Sequence, residues 1–147
     1  MNYLRYTGIF LSIAVLSALV VLALNTWADA GLGSSGQLLA PAMIAALLEG
    51  RAFVRGEARA PNPAEAWNFA LLATALAVVL NVALSYAGAH LIPANSAQSI
   101  APVGTRAFWL MLGVHTLVYL LSNRFFLGLG ARNEEVVQAR RNGTGKP

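Results

Sequence analysis

The chain has 147 residues, 57% of them hydrophobic and only 11% charged, with a mean hydropathy of +0.60. Soluble domains carry about a quarter of their residues as charges and are a little under half apolar, so this balance excludes an ordinary soluble domain and indicates a membrane protein. The net charge of +4 does not point to nucleic acid, because the basic residues lie between and after apolar runs, and the absence of cysteine excludes disulfides, thiolate metal sites, iron–sulfur clusters and cysteine nucleophiles.

A helix that crosses a hydrocarbon core of about 30 Å needs about 20 mostly apolar residues. Four runs approach that length, at about 7–25, 33–49, 67–89 and 103–123. They predict an all-α polytopic membrane protein with a four-helix domain over residues 1–130 and a polar tail over 131–147. The first run is densest from Gly8 to Leu24, with Tyr3, Tyr6 and Trp27 at its two interfaces. Ala28-Asp29-Ala30 has the form of a signal-peptide cleavage site, but the preceding run is longer than the usual ~7–15 residues, so the segment is expected to stay as a span.

The second run is the weakest. Leu38 to Leu48 is too short alone and needs the Gly/Ser-rich residues 31–37 for its first turns, as helix or as re-entrant loop, with Pro41 at an early helical position or a kink. Gly33-Ser34-Ser35-Gly36 fits the short serine motif of the rhomboid intramembrane proteases, with His115 as the one available base. That resemblance covers four residues, and a flexible connection is the simpler reading. No catalytic residue is assigned.

Residues 50–67, GRAFVRGEARAPNPAEAW, connect the second and third runs. RAFVRGEAR reads as a solvated loop whose Phe53 and Val54 dip among lipid headgroups. Asn62, Pro63 and Glu65 then form a capping-box pattern that opens the third helix, with Trp67 at interface depth. The fourth run centres on residues 107–121, and FFLGLG at 125–130 either extends that helix or lies along the interface.

With four spans, nine of the ten Lys and Arg residues fall on one side, Arg106 being the exception. By the positive-inside rule both termini and the hairpin face the cytoplasm, and Arg51, Arg55, Arg59, Trp67 and Arg124 mark the membrane interface and the topology.

Polar groups at depth are the functional candidates. Asn81 and Ser85 lie near the middle of the third span, and His115 and Tyr119 lie on one face of the fourth, so an Asn81–His115 hydrogen bond is within reach. These four residues form the expected intramembrane cluster, whose simplest role is to join helices. No acidic residue sits at depth for a proton relay, and His90 and His115 lie at different depths, so neither a haem nor another cofactor or metal is expected. Small residues at fourfold spacing (Gly8 and Ser12; Ala14 and Ala18; Ala42, Ala46 and Gly50; Ala73, Ala77, Asn81, Ser85 and Ala89) let helices approach closely.

Across Gly50-Arg51-Ala52-Phe53-Val54-Arg55, Arg59-Ala60-Pro61 and Pro63-Ala64-Glu65-Ala66-Trp67, the chain resembles an uncharacterised family of small four-span bacterial inner-membrane proteins with an arginine-rich cytoplasmic hairpin. The resemblance implies a multi-pass protein of the bacterial cytoplasmic membrane and carries no established activity with it. The expected role is accessory or structural, with the lipid bilayer as partner and a homo-oligomer or larger membrane complex as assembly. The alternative is a small permease acting as a homo-oligomer, and a remote one is an intramembrane serine hydrolase using Ser35 and His115.

Overall fold

A computed structural model describes residues 1–28, 35–91 and 104–143. They form four helices: α1 (Tyr3–Ala28), α2 (Ser35–Glu57), α3 (Pro63–Leu91) and α4 (Arg106–Arg141). The capping box at α3 forms in both directions. The Glu65 amide donates to Asn62 Oδ1 at 2.9 Å and the Asn62 amide donates to Glu65 Oε2 at 2.8 Å. Thr105 caps α4 by accepting from the Phe108 amide.

One end of the bundle gathers the start of α1, the end of α2, the start of α3 and the second half of α4. Tyr3 stacks on Phe69, Arg5 pairs with Glu49, Tyr6 bonds to Asn123, and Arg124 lies over Trp67. Each helix therefore runs opposite to the one before it, and α2 and α4 run side by side in the same direction. The core is small and aromatic: Tyr6, Phe10, Phe69, Tyr119 and Leu127 interlock with Ala42, Ala45, Ala46, Ala66, Ala73 and Ala77. The outer faces carry the large aliphatics, among them Leu16, Leu19, Leu71, Leu72, Val79, Leu110, Val114, Leu117 and Leu121. Alanine inside and leucine outside is the reverse of packing driven by water. It is the arrangement of helices held by close approach within lipid. α1, α3 and α4 are long and apolar enough to cross a bilayer, so this is a membrane protein.

α2 is not among those three. Its second half carries Glu49, Arg51, Arg55 and Glu57, which lower its hydropathy. The sequence reading of RAFVRGEAR as a loop is corrected here, because residues 51–57 are the last two turns of α2. Phe53 and Val54 are buried within the protein rather than dipped into headgroups. The Ala58 amide closes the final turn onto the Val54 carbonyl at 2.9 Å, and Ala58 itself takes a left-handed conformation (φ +52°) that ends the helix. α4 likewise continues without a break through FFLGLG and across residue 130, where the polar tail was expected to begin. Its 36 residues make a rod of about 54 Å, longer than a bilayer core, so its last turns project beyond the apolar zone.

Gly50 and Gly130 explain how that extension stays attached to α2. A Cβ on Gly50 would overlap the Leu127 carbonyl oxygen, and one on Gly130 would overlap the Leu47 carbonyl oxygen. The two backbones are in direct contact, as only glycine allows.

Candidate functional site

Two layers of polar side chains lie inside the bundle. In the first, the Tyr6 hydroxyl donates to Asn123 Oδ1 at 3.0 Å, and Asn123 Nδ2 donates to Thr74 Oγ1 at 3.2 Å. Three helices are thereby joined through one amide, and all three side chains are buried. In the second layer, Asn81 Nδ2 donates to the Tyr119 hydroxyl at 2.8 Å, joining α3 to α4. Burial in low dielectric makes each such bond electrostatically stronger and makes an unpaired group costly.

Of the four polar residues singled out in the sequence, the structure brings Asn81 and Tyr119 together. His115 takes a different partner: its Nδ1 lies 2.8 Å from the Met111 carbonyl oxygen, one turn back on the same helix. The carbonyl can only accept, so Nδ1 is the donor in this contact. The imidazole stands beside Tyr119, with ring centroids 6.4 Å apart, and is half-buried. The expected Asn81–His115 bond does not form. The side chains of Ser85, His90 and Ser35 lie outside the described residues, as do residues 29–34 with Asp29 and the Gly33–Ser34 pair.

Charged groups form a third layer at the end where the helices gather. Glu49 is fully buried on α2 and accepts from the Asn2 amide and from Arg5 Nε, the latter at 2.8 Å. Glu134 is buried on α4 and accepts a two-pronged bond from Arg55, at 2.8 and 2.9 Å, with Arg51 Nε at 3.7 Å. Lying in the projecting turns beyond the apolar zone, Glu134 is held below the usual carboxylate range, first by the Arg55 hydrogen bonds and then by the positive charges of Arg55, Arg51 and Arg141. Arg59 makes a two-pronged pair with Glu65 at 2.7 and 2.8 Å and lies over the Phe53 ring. The arginines at 51, 55 and 59 therefore bind carboxylates of their own chain.

Glu49, Glu134 and Asn123 were missed in the sequence. A usable signal existed for Glu49, an acid at i+3 from Ala46 on the small-residue face, but nothing local identified its partner 44 positions away.

Replacing Asn123 by leucine is expected to cost about 1 kcal/mol, because the Tyr6 hydroxyl is left buried without its acceptor. The change is read as a shift in helix loss on titration of dodecyl sulfate into mild-detergent micelles. The same measurement on Tyr6→Phe/Asn123→Leu should show less than the sum of the single losses.

Among the described residues no group of three or more His, Cys, Asp or Glu is placed to hold a metal. No protein-family model, curated protein or solved structure matches the chain.

Proposed function

We propose that the chain is a four-span protein of a bacterial cytoplasmic membrane, with both termini and the α2–α3 hairpin in the cytoplasm, acting as an accessory or scaffolding subunit. The observation that supports this best is that the polar groups inside the bundle bond to one another: Tyr6, Asn123 and Thr74 in one layer, Asn81 and Tyr119 in the next. Groups saturated in this way set helix register and leave little chemistry to offer a substrate. The gathering of Arg5, Arg51, Arg55, Arg59 and Arg124 at one end supports the topology by the positive-inside rule. The hairpin's likeness to the small bacterial family supports the compartment. The projecting turns of α4, with Arg132, Asn133, Glu135 and Val136 exposed, supply a surface for a partner.

The natural absence of cysteine makes the test direct. Single cysteines placed at Gly31 and at Gly145 are exposed to an impermeant maleimide in intact cells. Labelling at Gly31 alone supports the topology, and labelling at both sites defeats it. Extraction into native nanodiscs, followed by mass determination, addresses the subunit role. A lone monomer with no companion protein would defeat that role.

A second reading, a small permease working as a homo-oligomer, is favoured by His115. The ring is half-buried well inside α4, and among the described residues its second nitrogen has no hydrogen-bond partner. Flux in proteoliposomes that survives His115→Leu unchanged would dismiss it.

A further inference from the structure

We propose that Arg124 and Trp67 form a binding site for the headgroup of an anionic phospholipid where α3 and α4 meet at the charged end of the bundle. The inference rests on the membrane reading above but not on which side the charged end faces.

Arg5, Arg51, Arg55 and Arg59 each lie within 4 Å of a carboxylate of the chain. Arg124 has no such partner among the described residues. Its Nε is shielded from solvent and makes no hydrogen bond. The guanidinium carbon sits 5.7 Å from the centre of the Trp67 ring, a cation–π contact that holds the fork in one place. Trp67 itself is half-exposed in the first turns of α3.

The depth is that of a headgroup. Toward the bundle centre from this pair, the outer faces of α3 and α4 are Leu71, Leu72, Leu117 and Leu121. In the opposite direction α4 exposes Arg132 and Asn133. The pair lies where one surface gives way to the other. There an indole body suits the acyl–headgroup boundary, and a planar guanidinium matches two oxygens of a phosphodiester. A zwitterionic lipid offers the same phosphate with a cation beside it. The positive charge of Arg124, which no carboxylate among the described residues offsets, therefore selects a headgroup with net negative charge, such as phosphatidylglycerol.

Trp67 reports its own site once Trp27 and Trp109 are changed to phenylalanine in the full chain. The protein is placed in phosphatidylcholine vesicles, and quenching of Trp67 is followed as brominated phosphatidylglycerol or brominated phosphatidylcholine is introduced. The expected result is association about fivefold stronger for the anionic lipid. Arg124→Gln should bring that ratio close to one, whereas Arg132→Gln, with the same net charge, should keep most of it. Equal losses in the two variants, or no preference in the parent, would overturn the site. Arg124→Lys keeps the charge but not the fork and should give an intermediate ratio, which also serves if the glutamine variant does not insert. A full preference with lysine would overturn the stacked geometry. Excess inorganic phosphate at matched ionic strength should leave the preference in place, and its loss would assign the guanidinium to free phosphate instead. No quenching by either lipid would defeat the membrane reading itself, an outcome distinct from equal quenching by both.

Discussion

Gly130→Ala is expected to destabilise the bundle by about 3 kcal/mol, although it adds one methyl group to a helix that alanine should favour. The added Cβ would overlap the Leu47 carbonyl oxygen and lie 3.1 Å from the Leu47 Cα. Backbone atoms cannot turn aside as a flexible side chain would, so α2 and α4 must separate. Gly50→Ala makes the reciprocal insertion, overlapping the Leu127 carbonyl oxygen and reaching 3.0 Å from the Ala131 nitrogen. The double variant should lose less than the sum, because both methyl groups force apart the same two helices. Gly8 and Gly113 are the controls. A Cβ at either meets nothing within 4 Å, so alanine there should be neutral or gain up to about 1 kcal/mol from helix propensity. The measurement is loss of helical circular dichroism on dodecyl sulfate titration. If Gly130→Ala behaves like Gly113→Ala, the backbone contact between α2 and α4 is not made. Separation there should also weaken the Arg55–Glu134 pair nearby, so the projecting turns of α4 should become more sensitive to protease in both Gly50→Ala and Gly130→Ala.

The same glycines show where the sequence is legible and where it is not. The Asn62–Glu65 box can be read because both partners lie within one helical turn, and it forms as read. Ala42, Ala46, Ala73 and Ala77 can be read as a packing face because fourfold spacing places them on one side of a helix, and all are buried. Gly130 hides in FFLGLG, where two glycines among apolar residues look like a break or an interfacial segment. Its role depends on Leu47 of α2, far earlier in the chain. Phe53 and Val54 sit among three arginines, a composition that looks like a loop, yet both are buried in the folded chain and Arg59 lies over the Phe53 ring. Local pattern gives the faces and ends of helices. Which face meets which, and hence the pairing of Tyr6 with Asn123 across 117 positions, is decided by the packing of the whole bundle.

The ion pair across the foot of α1 and α2 gives the second large effect. Glu49 is fully buried and receives the Asn2 amide and Arg5 Nε. Removing the guanidinium by Arg5→Gln leaves a carboxylate enclosed with one main-chain donor. The expected loss is about 3 kcal/mol, toward the low end for a broken buried pair because the Asn2 amide remains and the Arg5 side chain is partly exposed. Glu49→Gln takes the charge away but keeps only one of the two oxygens that accept from the Asn2 amide and from Arg5 Nε, so it should cost about 2 kcal/mol, still less than Arg5→Gln. In Arg5→Gln/Glu49→Gln no charge is left enclosed, and the double variant should be more stable than Arg5→Gln alone. That ordering separates charge compensation from simple loss of packing, which would make the double variant the least stable of the three. Equal stability of Arg5→Gln and the parent in the same titration would mean that the Arg5 guanidinium contributes nothing and that the Asn2 amide alone sustains the Glu49 carboxylate.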